Sequence, residues 1–231
     1  MIRIENLSKA YHFQGNVKHI VRNANVTIPT GATVGLMGRN GAGKSTLLQL
    51  IAGTLNPDRG RVRVTGSVSW PIGLAGCIHP ELTGRQNVRF IARVYGVDTD
   101  ELVDFVGDFA QLGAHYQQPV RTYSSGMRAR LNFGMSMGIR FDTYLIDEVT
   151  SVGDASFRAR SYDLFMDRVS TSGAIFVSHS NQQVKQFCKH GIVLENGRLT
   201  YFHDVEEAID RHMRNMMGDA HVNQYGTADI D

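Results

Sequence analysis

Gly38-Arg39-Asn40-Gly41-Ala42-Gly43-Lys44-Ser45 is the stretch that decides the fold, since it meets the phosphate-loop pattern of Gly, four residues and Gly-Lys-Ser/Thr at every constrained position. The flanking residues supply the context that the pattern needs. Thr33-Val34-Gly35-Leu36-Met37 reads as a short buried strand, and Ser45-Thr46-Leu47-Leu48-Gln49-Leu50-Ile51-Ala52 reads as a helix ended by Gly53. Glycines let the loop turn its N–H groups inward around a phosphate chain, and the following helix adds the positive end of its dipole. Lys44 is expected to neutralise the β and γ phosphates and the Ser45 hydroxyl to hold Mg²⁺, with Thr46 beside them. A glycine-rich turn that binds nothing, in a chain with 24 glycines, would not come framed by that strand and that helix.

Outward from the loop, Tyr144-Leu145-Ile146-Asp147-Glu148 is an apolar strand ending in two acids, which would be costly if they served stability alone. In a parallel sheet beside the phosphate loop, Asp147 would complete the Mg²⁺ shell and Glu148 would orient or deprotonate an attacking water. The bland alternative is a pair of edge acids that solvate the strand end. Val177-Ser178-His179-Ser180 places His179 just past another strand terminus, on the side where the phosphates lie, within reach of a γ-phosphate. Tyr11 stands in an opening pair of antiparallel strands, Ile2, Ile4 and Leu7 in one and Ile20, Val21, Val26 and Ile28 in the other, around Gln14-Gly15-Asn16. An aromatic there either stacks on an adenine ring or packs on the sheet.

The remaining pattern is that of an α/β body with an inserted helical part. Residues 61–70 read as a strand and 71–80 as an irregular loop; 84–118 read as helical, with a break at Gly96-Val97-Asp98-Thr99-Asp100. A further helix spans 126–137. Strand, helix and strand at 143–147, 157–170 and 174–178 imply a parallel sheet, and 191–199 a closing hairpin turning at Asn196-Gly197. A last amphipathic helix runs from Val205 to about Met217, which leaves 218–231 as a flexible tail. The expected unit is therefore one domain over 1–217, with a helical subdomain at about 84–140.

Composition limits the alternatives. Twenty-four Lys plus Arg against 22 Asp plus Glu, scattered rather than blocked, give no nucleic-acid surface. Cys77 and Cys188 are far apart, out of metal-ligand spacing, and suit a reducing compartment. No apolar run approaches the roughly 20 residues that cross a bilayer. The chain is expected to be soluble by itself and to meet any membrane through a partner.

Tyr123-Ser124-Ser125-Gly126-Met127 before a helix completes a resemblance, over about residues 1–205, to the ATP-binding subunits of ABC transporters, whose signature is Leu-Ser-Gly-Gly-Gln. The resemblance implies a P-loop NTPase fold with a parallel core sheet, an N-terminal antiparallel β subdomain and an inserted helical subdomain. It implies ATP and Mg²⁺, and a homodimer in which Ser124, Ser125 and Gly126 close over the γ-phosphate held by the other copy. Tyr11 becomes the adenine-stacking aromatic, Glu148 the catalytic carboxylate and His179 the switch histidine. Ser151-Val152-Gly153-Asp154 matches the loop that crosses between subunits. Departures narrow the subfamily: residues 67–80 lack the usual glutamine, the aligned place being near Leu74, and Ser125 and Met127 replace glycine and glutamine.

Tyr-Ser-Ser-Gly-Met-Arg-Ala-Arg-Leu with Asp-Glu-Val-Thr-Ser-Val-Gly-Asp-Ala-Ser-Phe is similar to exporters of lipid-linked polysaccharides across the bacterial inner membrane, and the short length to their capsular branch. That likeness implies integral-membrane permease partners, two of them, received over Ile72 to Asn87, and a peripheral place on the cytoplasmic face. O-antigen or teichoic acid export, and a nucleotide-gated dimeric scaffold, are the competing readings. A translation-type or repair-type ABC ATPase would need a second domain or a long coiled coil, and a P-loop kinase would need an acceptor pocket and a lid in place of the signature.

Overall fold

The computed structural model describes residues 1–72, 78–147 and 154–225. Two sheets and a set of helices form two cores back to back. In the first sheet, β1 (Ile2–Phe13) pairs antiparallel with β2 (Asn16–Ile28) and with β4 (Arg59–Val64), in the order β2-β1-β4. Gln14 and Gly15, both at positive φ (47° and 78°), make the tight turn that matches the twist of a hairpin. The second sheet has the order β5-β6-β3-β7-β8, with β3 (Thr33–Met37), β5 (Thr143–Asp147), β6 (Gly173–Val177) and β7 (His190–Glu195) parallel and β8 (Arg198–Phe202) antiparallel at the edge.

Both faces of the five-stranded sheet are buried, as a parallel sheet requires. Val34, Leu36, Leu145, Ile175, Val177, Ile192 and Leu194 join the antiparallel strands and α1 (Lys44–Ile51) in one core. Their alternates Met37, Tyr144, Ile146, Ala174, Phe176 and Val193 face the other helices. Those helices are α2 (Gly84–Tyr95), α3 (Thr99–Ala110), α4 (Ser125–Gly138), α5 (Ala155–Thr171), α6 (Asn181–Phe187) and α7 (Val205–Tyr225). Thr83 and Gln86 close a capping box on α2, and Asp98 caps α3 through the amides of Asp100 and Glu101. The expected break between these helices therefore lies where the sequence places it.

Two expectations need correction. The strand expected over 61–70 ends at Val64, because Gly66 turns at φ 91° and Ser67 is captured by Asp142, its N–H donating at 2.7 Å and its hydroxyl at 2.9 Å to Oδ2. The chain then runs beside β5 through single bridges, Val68 to Thr143 and Ile72 to Ile146. The last helix continues to Tyr225, so 218–225 is helical rather than tail; one internal glycine, Gly218, costs only about 1 kcal/mol and does not stop it. Cys77 and most of the irregular loop at 71–80 lie outside the described residues.

Candidate functional site

Because β3, β5 and β6 run parallel, their C-terminal ends share one edge, and the residues at those ends are brought together there. After β3 the phosphate loop turns back over that edge into α1. Two of its glycines are sterically required: a side chain begun at Gly38 would come within 2.5 Å of the Leu194 carbonyl, and one at Gly43, at φ 107°, would collide with Ile20 of β2. The Lys44 ammonium folds back along the loop and donates to the carbonyls of Gly38 at 2.8 Å and Arg39 at 3.1 Å.

A cleft of about 540 Å³ opens at this edge. Tyr11, Asn40, Gly41, Gly43, Lys44, Ser45, Thr46, Asp147 and His179 all line it, so the three motifs separated in sequence converge on one space. Gly38, Arg39 and Ala42 belong to the same loop without facing the cleft. Tyr11 is 43% exposed, which leaves a ring face open for stacking, and Lys9, tied to Asp58 at 2.8 Å, has its ammonium 5.7 Å from the ring centroid. His179 sits between two serines that shape its loop. The Ser178 hydroxyl bonds Gln183 and accepts from the Ser180 amide at 3.0 Å, while Ser180 caps α6.

Ser45 and Asp147 offer a hydroxyl and a carboxylate oxygen to the same space as Lys44. This hard-oxygen pair is too small for a closed metal cage and fits an Mg²⁺ ion that takes its other ligands from water and substrate phosphates. Glu148 lies outside the described residues.

Ser124, Ser125, Gly126 and Asp154 are not among the residues that line the cleft. Ser124 caps α4, its hydroxyl accepting from the Met127 amide at 3.2 Å, so the serine and the free end of the helix dipole point to one place. A side chain begun at Gly126 would meet only the Ser124 hydroxyl, at 3.9 Å, among the described residues, so packing within the chain does not demand a glycine there. Asp154 caps α5 through the Phe157 amide and holds Arg130 of α4 at 2.7 Å. The amide bond, and then Arg130, keep its carboxyl below the usual aspartate range. The link fixes the start of α5 to the signature helix.

The family described as ABC transporter matches residues 21–151, more than half of the chain. The chain belongs to this family. The polysialic acid transport ATP-binding protein KpsT of Escherichia coli is 45% identical over 215 residues, covering 92% of this chain and 96% of its own length. The capsule polysaccharide export ATP-binding protein CtrD of Neisseria meningitidis serogroup B is 42% identical over 211 residues, covering 91% and 97%. Among solved structures, an ATP-binding cassette in a dimeric post-hydrolysis state with ADP and Pi superposes with a TM-score of 0.73 at 19% identity, over 89% of this chain and 99% of that one. The fold expected from the ABC resemblance is therefore the fold observed.

Three contributors escaped the motifs. Lys18 and Ile20 of β2 line the cleft, a tertiary placement that the hairpin's length hints at but does not specify. His212 of α7 lies near Lys44 and Arg39; burial first, then those two positive charges, hold its imidazole below the usual histidine range.

Proposed function

We propose that this chain is the ATP-hydrolysing subunit that powers export of a capsular polysaccharide through a separate membrane permease, acting as one ATPase domain over 1–217. The convergence of Tyr11, the phosphate loop, Asp147 and His179 on one cleft carries the reading, together with the similarity to KpsT and CtrD. Tyr11 stacks on the adenine, the amides of residues 38–46 and the Lys44 ammonium bind the phosphates, and His179 donates to the γ-phosphate. Glu148, which follows Asp147, accepts the proton of the attacking water. Ser45 and Asp147 would hold an Mg²⁺ ion, which would supply charge neutralisation to the phosphates.

The signature residues Ser124, Ser125 and Gly126, off this chain's own cleft, serve the cleft of a second copy. The open space at Gly126 and the exposed end of α4 suit the close approach of a phosphate from outside the chain. Two copies then enclose two nucleotides. Arg130 ties Asp154, at the start of α5, to the signature helix, and nucleotide binding favours the closed pair by its greater affinity for that state. Two permease subunits receive the motion at the cytoplasmic face of the inner membrane; among the described residues no helix is long and apolar enough to cross a bilayer.

Steady-state hydrolysis by wild type and Glu148→Gln, with nucleotide binding measured alongside, tests the reading. The variant is expected to bind ATP and to turn over about 10²-fold more slowly, and the wild type to co-purify with a permease that changes its rate. Dimerisation on ATP without turnover in either protein would make the chain a nucleotide-gated scaffold instead.

A further inference from the structure

Strand β2 lies directly over the phosphate loop. Lys18 and Ile20, two residues apart and therefore on one face of the strand, sit over Gly41 and Gly43, two residues apart in the loop. Ile20 fills the space against Gly43. Lys18 brings its ammonium to 3.5 Å from the point where a side chain on Gly41 would begin, and both side chains line the same cleft as Lys44 and Ser45. Lys18 also pairs in register with Tyr11, so the proposed base-stacking ring and this cation sit side by side across the hairpin.

Lys9, the other lysine beside Tyr11, is tied to Asp58 at 2.8 Å, while Lys44 donates to carbonyls of its own loop. Lys18 forms no ion pair among the described residues, although its ammonium is brought against a loop whose amides are arranged for anions. A lysine that merely solvated the hairpin would gain nothing from lying over Gly41.

We infer that Lys18 is a second phosphate-binding cation, contributed by the antiparallel sheet, which contacts the polyphosphate of the nucleotide from the side opposite Lys44. The inference rests on the nucleotide-binding reading of the cleft and adds a residue and a role to it. Lys18 thereby makes the polyphosphate a bridge between the β1–β2 hairpin and the α/β body, since one end of the contact belongs to each.

The experiment titrates wild type, Lys18→Met, Lys18→Arg and Lys44→Ala with Mg-ATP, Mg-ADP and adenosine, by displacement of a fluorescent nucleotide. Methionine keeps the length and apolar stem at an exposed strand position, so folding, checked by thermal unfolding, should hold. A lost charge-assisted contact at a partly exposed site is expected to weaken ATP and ADP about tenfold in Lys18→Met. Adenosine should bind this variant as it binds wild type, and Lys18→Arg should recover most of the ATP affinity. Affinities for ATP within twofold of wild type in Lys18→Met would overturn the inference, as would an equal loss for adenosine, which would make Lys18 a hairpin-shaping residue. If wild type and Lys44→Ala both failed to bind ATP, the nucleotide reading itself would fall.

Discussion

Asn87 gives the sharpest test of how the segment entering α2 is held. Its side chain is 1% exposed: Oδ1 accepts from the His79 amide at 2.7 Å, and Nδ2 donates toward the carbonyls of His79 at 3.1 Å, Leu82 at 3.3 Å and Thr83 at 2.9 Å. Asn87→Asp changes almost no volume but turns the donor into an oxygen aimed at three carbonyls. Loss of those donations at about 0.5–1.5 kcal/mol each, with the added cost of an unpaired buried carboxylate, gives a destabilisation of about 3–5 kcal/mol at neutral pH. Burial among acceptors raises the folded-state pKa of the new carboxyl above its unfolded value near 3.9, so the penalty is smallest in acid and grows as pH rises from about 4 to 7. Asn87→Ala should cost about 2–3 kcal/mol with no such pH dependence. Urea unfolding followed by Trp70, the single tryptophan and 3% exposed, measures both. A penalty for Asn87→Asp below 1 kcal/mol, or one that does not change with pH, would refute the assignment of Nδ2 to the three carbonyls.

Two further outcomes follow from buried titratable groups. His212 has a folded-state pKa below its unfolded value of 6.5, so its contribution to stability is present above that value and is lost as pH falls through the depressed pKa; His212→Gln should flatten the decline in stability between about pH 7 and 5, and an unchanged decline would mean that α7 neither buries His212 nor brings it against the Lys44 and Arg39 charges. Burial pushes the Cys188 thiol up to about 12, so in a Cys77→Ser background Ellman's reagent should label the native protein about 10³-fold more slowly than the unfolded one, and rapid native labelling would contradict the packing of Cys188 and Val184 against Gly35.

The parts of this molecule legible in its sequence are those whose cause is local. The phosphate loop is set by glycines between a buried strand and a helix, the α2–α3 break by Asp98, and the β7–β8 turn by Asn196-Gly197 at φ 48° and 78°. The parallel sheet was legible because strands buried on both faces must be apolar throughout, as Leu145 and Ile146, on opposite faces, both are. What escaped depends on contacts between distant residues. Gly66 is the local turn signal within Arg61 to Trp70, but the capture that fixes the strand end at Val64 comes from Asp142, 75 positions beyond Ser67.

The same distinction separates the two cations proposed for the nucleotide. Lys44 is fixed by its place in a motif, since the loop that positions it is its own chain neighbourhood. Lys18 is fixed by the register of a hairpin and by the packing of Ile20 on Gly43, neither of which leaves a pattern at residue 18. A glycine at 43 is then required twice, by its own φ of 107° and by a strand that belongs to another sheet. That second requirement couples the two sheets at the phosphate loop. Substitution of Ile20 should therefore loosen nucleotide binding through Lys18, although Ile20 carries no group that could bind a phosphate.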